Sequence, residues 1–307
     1  MRLGYNRPLY LLPFDHRRSY LTGMFHVTPP LTEAQHKAVT DTKQVIYEGF
    51  RQALGHDVPV ASAGILVDEE FGADILRGAA RNGYVTALST EKSGSAEFEF
   101  EYGTEFAKHI EAFEPTFAKA LVRYNPEGDA ALNERQTTRL KQLSDYCRAV
   151  GQRFMFELLV PASEAQKQGA QDETTYDLLV RPALVLQAIR ILQDAGVEPD
   201  IWKIEGLDRR EDCERVVATA RRDGRGEVGC IVLGRAAEEE KVRAWLKTAA
   251  SVPGFIGFAV GRTTFWEPVA DYVAKRATRQ EAASRIARRY REWAVIFQRG
   301  TSSEGTL

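Results

Sequence analysis

The sequence predicts a single α/β domain folded as a (β/α)8 TIM barrel, and two observations support this fold class. Apolar runs typical of buried strands alternate eight times with helical stretches along the 307 residues. No linker or shift in composition separates these units, and near-continuous apolar strands followed by helices are typical of a parallel sheet covered on both faces. Eight such units in one domain of this length fit a closed barrel.

The individual elements follow from hydrophobic periodicity and from helix-start signals. The predicted strands are residues 9–15, 61–68, 85–89, 117–124, 153–160, 200–206, 228–233 and 255–260. The predicted helices are residues 32–54, a helix from about 72, then 130–150, 176–195, 209–222 and 238–250, with further helices up to 298. Thr32 and Gln35 have the spacing of a capping box. We therefore predict a barrel over residues 1–299 and a disordered tail over 300–307.

An open, doubly wound sheet is the alternative architecture for alternating strands and helices. That fold uses a glycine-rich loop after its first strand to hold a dinucleotide. Here the first strand is followed by Asp15-His16-Arg17-Arg18, which is not a dinucleotide fingerprint. The sequence therefore favours the barrel and predicts no nucleotide cofactor.

Composition excludes several classes of function. The net charge is -2, so nothing indicates a nucleic-acid partner. No apolar run reaches the length of a membrane span, and the apolar residues 9–12 are interrupted by Pro13, unlike a signal peptide. Three widely spaced cysteines suit a reduced compartment and give no metal-binding spacing. We expect a cytoplasmic protein without a membrane partner, and a homo-oligomer is compatible with these features.

Charged residues inside the apolar strands are the main functional signal. Lys203 and Glu205 alternate with Trp202 and Ile204 in the sixth strand, so both charges face the same side. A surface ion pair at the strand end is the alternative interpretation. However, Lys119 lies inside the fourth strand and Glu157 inside the fifth, and charges are rarely buried without a partner or a function.

Two lysines and a carboxylate suit Schiff-base catalysis on a carbonyl group. One lysine must be neutral to attack, and a nearby ammonium together with a low dielectric favours the neutral amine. A carboxyl group then moves protons during dehydration and carbon–carbon cleavage. We predict Lys203 as the nucleophile, Lys119 as the neighbouring cation and Glu157 as the acid/base.

Further polar residues lie at the carboxyl ends of the predicted strands, where barrels place their binding groups. The predicted substrate-binding residues are Asp15, His16, Asp68, Arg123, Glu205, Gly234, Gly261 and Arg262. Gly261-Arg262 and Gly234-Arg235 suit a phosphate, because exposed backbone N–H groups and a guanidinium bind that anion. A tight turn with a solvated arginine is the alternative. Only His16 among five histidines lies at a strand end, so we predict no metal site.

Several strand motifs together resemble a known group of proteins. The motifs are residues 14–17, 64–72, 119–125, 156–159, 202–206 and 257–263. They resemble the aldolase-like domain that follows the sugar kinase in fused bacterial inositol-catabolism proteins, which is similar to class I tagatose-1,6-bisphosphate aldolases. This chain has no kinase segment, and it carries His16 where the tagatose enzymes have an amide.

The resemblance implies a role for each matching residue. By motif, Lys203 corresponds to the Schiff-base lysine, Glu157 to the acid/base and Lys119 to the second lysine. Asp15 corresponds to the aspartate of the first strand, and Arg262 to a phosphate-binding arginine. The implied reaction is cleavage of 5-dehydro-2-deoxygluconate 6-phosphate to dihydroxyacetone phosphate and malonate semialdehyde. Alternatives are a class I aldolase for another ketose phosphate, such as tagatose 1,6-bisphosphate, and a non-catalytic sugar-phosphate-binding barrel.

Overall fold

The structure, a computed structural model, describes residues 2–55, 57–170 and 172–302 of the chain. Eight parallel strands pair in sequence order, and the last also pairs with the first, so the sheet closes. The strands are β1 Leu9–Pro13, β2 Ala63–Val67, β3 Val85–Ser89, β4 Phe117–Arg123, β5 Arg153–Leu159, β6 Ile201–Glu205, β7 Gly229–Leu233 and β8 Phe255–Ala259. The predicted single-domain (β/α)8 barrel is confirmed.

The helices surround the barrel, and they include one between β3 and β4 that the sequence analysis did not predict. They are α1 Arg18–Tyr20, α2 Glu33–Ala53, α3 Glu69–Arg81, α4 Phe106–Phe113, α5 Ala130–Val150, α6 Glu164–Ala170, α7 Glu173–Thr175, α8 Arg181–Asp194, α9 Arg210–Ala220, α10 Glu239–Ala250, α11 Arg262–Val273 and α12 Arg279–Ser302. Two π-helical turns, Leu21–Phe25 and Tyr176–Val180, follow α1 and α7. Thr32 and Gln35 form the predicted capping box of α2.

Several helix boundaries differ from the sequence prediction. Helix α8 begins at Arg181 rather than at residue 176, because residues Tyr176–Val180 form a π-helical turn. Helix α3 begins at Glu69 rather than near residue 72, because Asp68 caps it directly after β2 through the N–H of Phe71. Helix α12 continues to Ser302, so residues 300–302 are helical and not part of a tail. Residues 303–307 of the predicted tail lie outside the described residues. No helix in the described ranges is both long and apolar enough to cross a membrane.

Two hydrophobic cores determine where polar groups can lie. The larger one fills the space between the strands and the surrounding helices. The smaller one fills the lower barrel interior with Tyr5, Leu9, Leu11, Leu66, Val85, Ala87, Phe117, Met155, Ile201, Ile231 and Ala259. Because side chains of a strand alternate, a residue that lies two positions after an inner-core residue within the same strand also faces the interior, nearer the carboxyl ends. This upper layer carries the charged residues.

Candidate active site

Three adjacent strands place the two lysines and the glutamate in one layer of the barrel interior. Lys119, Glu157 and Lys203 each lie two residues after an inner-core residue of β4, β5 and β6. Glu157 and Lys203 are register partners in neighbouring strands. The apolar side chains of the smaller core lie below them and fill the barrel interior there. The predicted clustering at one end of the barrel is therefore present.

Glu157 lies between the two lysines. Its Oε1 atom is 2.7 Å from Nζ of Lys203, and its Oε2 atom is 2.8 Å from Nζ of Lys119. Glu157 and Lys203 are buried, with exposed fractions of 6% and 3%. Burial alone raises the pKa of the Glu157 carboxyl, but the two ammonium groups outweigh it and hold that pKa below its usual value. One carboxylate therefore bridges the two ammonium groups.

Lys119 is surrounded by carboxylates. Its Nζ atom lies 2.8 Å from Oδ2 of Asp15, 2.7 Å from Oε1 of Glu91 and 2.8 Å from Oε2 of Glu157. Burial works to lower the pKa of this ammonium, but the three carboxylates together raise it above the usual value. Lys119 is therefore held as a fixed positive charge.

A cavity of about 850 Å³ opens at the carboxyl ends of the strands. Lys203, Glu157, Glu91 and Asp15 line it, whereas Lys119 is fully buried and is not among the described residues that line it. A molecule in the cavity can therefore reach the amine of Lys203 but not that of Lys119. This difference in access favours Lys203 as the nucleophile.

His16 also faces the cavity, where its ring packs edge-on against Phe265. Its Nδ1 atom is buried and has no hydrogen-bond partner among the described residues. Burial lowers the pKa of His16 to about 4; Asp15 opposes this, while Arg262 and Lys203 add to it. The imidazole is therefore neutral near pH 7 and can hydrogen-bond a bound molecule.

Gly234, Gly261 and Arg262 lie together at the ends of β7 and β8 and line the cavity. A Cβ atom at Gly261 would be 2.3 Å from the carbonyl oxygen of Pro13, so only glycine fits there. Arg262 begins α11 and is half-buried, and no hydrogen bond or ion pair engages its guanidinium within the described ranges. These groups leave an unpaired cation beside a helix N-terminus, which suits an anion.

Arg235 differs from Arg262 because its guanidinium is already paired. It contacts Glu173 at 2.8 Å, Asp177 at 2.7 Å and Glu205 at 3.1 Å. Each of its three nitrogen atoms already contacts a carboxylate, so Arg235 is a poor candidate for phosphate binding. The arginine instead joins the end of β7 to the segment between β5 and α8.

Glu205 lies in the cavity wall, and its partners are a backbone N–H group and an arginine. The structure shows its Oε2 atom accepting a hydrogen bond from Val160 N–H at 2.9 Å, and its Oε1 atom lies 3.1 Å from Arg235 Nε. Glu205 therefore fixes loops at the mouth, and Arg123 is left exposed at the cavity wall, its guanidinium without a partner in the described part of the chain.

Asp68 was predicted to bind substrate, but it is not among the described residues that line the cavity. Its carboxylate is fully buried, forms an ion pair with the equally buried Lys43, and caps α3. The ammonium of Lys43 also lies over the rings of Tyr20 and Phe71. Asp68 is placed to stabilise the junction of β2 with α2 and α3 and not to bind a substrate.

We expect Asp68→Asn to lower the free energy of unfolding by about 3 kcal/mol, because it leaves Lys43 as an uncompensated buried charge. Denaturant unfolding measures this loss. Substrate KM should stay within about twofold of wild type. A raised KM with unchanged stability would instead show that Asp68 contributes to substrate binding.

Glu91 and Arg17 were absent from the predicted site residues. Glu91 lies two residues beyond β3 but still faces the interior, where it contacts Lys119. Arg17 holds this segment, because its Nη2 atom donates to the carbonyl oxygen of Glu91 at 2.6 Å and its Nη1 atom pairs with Glu101. The alternation of Val85, Ala87 and Ser89 continues to Glu91 and could have identified it.

Comparison with solved structures finds the same overall fold in proteins that include fructose-bisphosphate aldolases. The protein Cgl0159 of Corynebacterium glutamicum is 16% identical over 94% of this chain and 87% of its own, with a TM-score of 0.59. An archaeal fructose 1,6-bisphosphate aldolase is 14% identical over 94% of both chains, with a TM-score of 0.56. A Schiff-base-forming fructose-1,6-bisphosphate aldolase is 13% identical over 88% of this chain and 94% of its own, with a TM-score of 0.53.

The sequence itself identifies the family. Residues 4–300 match DUF2090, described as an uncharacterized protein conserved in bacteria, and the chain belongs to that family. No curated protein matches the sequence. The likeness to aldolases is therefore one of fold, and function rests on the chemistry of the cavity.

Proposed function

We propose that this protein is a class I aldolase that cleaves a phosphorylated keto sugar acid through an imine on Lys203. The observation that carries the proposal is the placement of Lys203 at the cavity, with Glu157 bridging it to a permanently charged Lys119. A nucleophilic amine needs a nearby base to remove its proton, and Glu157 lies within hydrogen-bonding distance.

The protons balance within this group of residues. Lys203 gives a proton to Glu157, and the neutral amine adds to the substrate carbonyl. A second proton moves from the new C–N nitrogen to the carbonyl oxygen, which gives a carbinolamine. Glu157 then returns its proton to the hydroxyl, which leaves as water, and the protonated imine remains.

Two arginines without an ion-pair partner among the described residues indicate where the anionic groups of the substrate would bind. Arg262 follows β8 and Arg123 ends β4, and these strands lie on opposite sides of the eight-stranded barrel. Lys203 on β6 lies between them along the wall. This arrangement suits a chain with an anion at each end and a carbonyl between them. A keto sugar acid phosphate such as 5-dehydro-2-deoxygluconate 6-phosphate meets this requirement, with dihydroxyacetone phosphate and malonate semialdehyde as products.

Borohydride trapping tests the proposal directly. The protein is incubated with a panel of phosphorylated ketoses, including tagatose 1,6-bisphosphate and the keto sugar acid phosphate, and then reduced. We expect the mass of one triose phosphate to be added to the peptide that contains Lys203. Cleavage of tagatose 1,6-bisphosphate alone would redirect the substrate assignment. Binding without an adduct would indicate a non-catalytic barrel.

Arg262→Ala should raise KM for a phosphorylated substrate about 10- to 100-fold, because a charge-assisted hydrogen bond contributes about 1.5–3 kcal/mol. Steady-state kinetics with phosphorylated and unphosphorylated analogues provide the measurement. The unphosphorylated analogue serves as the control and should change little. Equal losses for both analogues would show that Arg262 stabilises the fold instead.

A further inference from the structure

Glu91 is a buried carboxylate that the imine-forming steps do not use. It lines the cavity and has an exposed fraction of 8%. Its Oε1 atom accepts a hydrogen bond from Lys119 at 2.7 Å, and its Oε2 atom accepts one from the N–H of Leu121 at 3.2 Å. Each carboxylate oxygen has a second lone pair, so Glu91 can still contact a molecule in the cavity.

The backbone of Glu91 is held as firmly as its side chain. Arg17 donates to its carbonyl oxygen, and Glu91 forms an antiparallel bridge with Phe100. The preceding residue, Thr90, donates its N–H to the carbonyl oxygen of Lys119 at 2.9 Å. A loop residue fixed from three directions is preorganised, as acid/base groups require.

Glu91 lies on the side of the barrel where the leaving aldehyde of the proposed substrate would bind. With the phosphate at Arg262 after β8 and the carbonyl carbon on Lys203 of β6, the leaving aldehyde extends towards Arg123 at the end of β4. Glu91 follows β3, the neighbour of β4. Its carboxylate is therefore on the side of the hydroxyl whose proton must be removed to break the carbon–carbon bond.

Besides Glu157, whose two oxygen atoms already contact the two lysines, Asp15 is the carboxylate of this layer that could take that proton, but it fits less well than Glu91. It follows β1, the neighbour of β8, and so lies on the phosphate side. Burial opposes ionisation of Asp15, yet Lys119, His16 and Lys203 hold its pKa far below the usual value, which makes it a weak base. For Glu91, burial and the charge of Asp15 outweigh Lys119 and raise the pKa.

We propose that Glu91 is the acid/base of the carbon–carbon bond step, while Glu157 serves the imine steps. Glu91 takes the proton of the substrate hydroxyl. The electron pair of that O–H bond then forms the C=O bond of the leaving aldehyde. The electrons of the carbon–carbon bond form the enamine and neutralise the iminium nitrogen. After the aldehyde leaves, Glu91 returns the same proton to the enamine carbon. The inference rests on the proposed aldolase function.

Glu91→Gln tests this division of roles, because glutamine keeps the shape and an acceptor for Lys119 but cannot carry the proton. Dihydroxyacetone phosphate is the probe. We expect borohydride labelling of Lys203 to remain within about threefold of wild type. Cleavage of the full substrate should fall about 10²- to 10⁴-fold, the usual contribution of a general acid/base. Exchange of the carbon-bound hydrogen of the probe with D₂O should fall in parallel.

The exchange assay separates catalysis from simple binding. If Glu91 only bound the aldehyde half, exchange in dihydroxyacetone phosphate would continue at the wild-type rate, and the proposal would be overturned. Loss of labelling together with cleavage would show that Glu91 only positions Lys119 and Lys203. Glu99→Gln is the matched control, because Glu99 lies on the same loop, pairs with Lys92 and is not among the described lining residues. Absence of labelling in the wild type would overturn the proposed function itself.

Discussion

Replacing Lys203 with alanine is expected to abolish borohydride labelling and to lower kcat/KM by about 10⁴-fold or more, because the covalent intermediate cannot form. Lys203→Arg should have the same effect, since a guanidinium stays charged and does not attack a carbonyl. Peptide mapping after reduction with a ketose phosphate measures the label, and an aldehyde-release assay measures turnover. The alanine variant should stay folded, because the carboxylate of Glu157 keeps its contact with Lys119.

The labelling experiment also decides between the two lysines. Lys119 is shielded from the cavity and held by three carboxylates, so we expect no label there. Label on Lys119 would reverse the two roles. Lys247→Ala, which removes an exposed lysine of α10, is the control and should leave labelling unchanged. Activity lost in EDTA, with no label on either lysine, would contradict an imine mechanism.

Hydrophobic periodicity was sufficient to predict the barrel, because each strand is buried on both faces and carries an apolar run. The same alternation predicted that Lys119, Glu157 and Lys203 share the barrel interior. These residues lie within strands, where backbone geometry fixes the direction of each side chain. The sequence therefore contained enough information to place these three residues in one layer of the barrel interior.

Prediction became unreliable where the strands end. Asp68 would face the interior if β2 continued, since Gly64 and Leu66 do. However, β2 ends at Val67 and Asp68 turns to cap α3. Glu91 also lies beyond its strand, yet it keeps the inward direction because Arg17 and Phe100 hold its backbone. The direction of a residue after a strand depends on such contacts, which a single sequence does not reveal.

Lys119→Met should cause a large loss of stability, about 5 kcal/mol at pH 8. The methionine side chain is similar in length but leaves Asp15, Glu91 and Glu157 buried around an uncharged group. Breaking a buried ion pair typically costs about 3–5 kcal/mol, and here one ammonium contacts three carboxylates. Denaturant unfolding of wild type and variant measures the difference. Lys92→Met, at the exposed rim of the same cavity, should change stability by less than about 0.5 kcal/mol.

The pH dependence of this loss identifies its cause. In the wild type, Lys119 outweighs burial and keeps the pKa of Asp15 and Glu157 low, so their contribution to stability persists until the pH falls below their unfolded values near 4. In the variant, burial is less opposed and these pKa values rise. The folded state then binds protons that the unfolded state does not, and stability must increase as the pH falls from 8 to 5.

Protonation of Glu91 also increases the stability of both proteins as the pH falls, because the pKa of Glu91 is already raised in the wild type. Lys119 lowers the pKa of Glu91, so its removal raises that pKa further, and the difference between the two curves reports on Asp15, Glu91 and Glu157 together. We expect the gap in the free energy of unfolding to narrow by at least about 1 kcal/mol between pH 8 and pH 5, since one pKa unit corresponds to about 1.4 kcal/mol. A gap independent of pH would mean that lost packing, and not the unpaired carboxylates, destabilises the variant. The charge of Lys119 would then be unnecessary for holding the three carboxylates together.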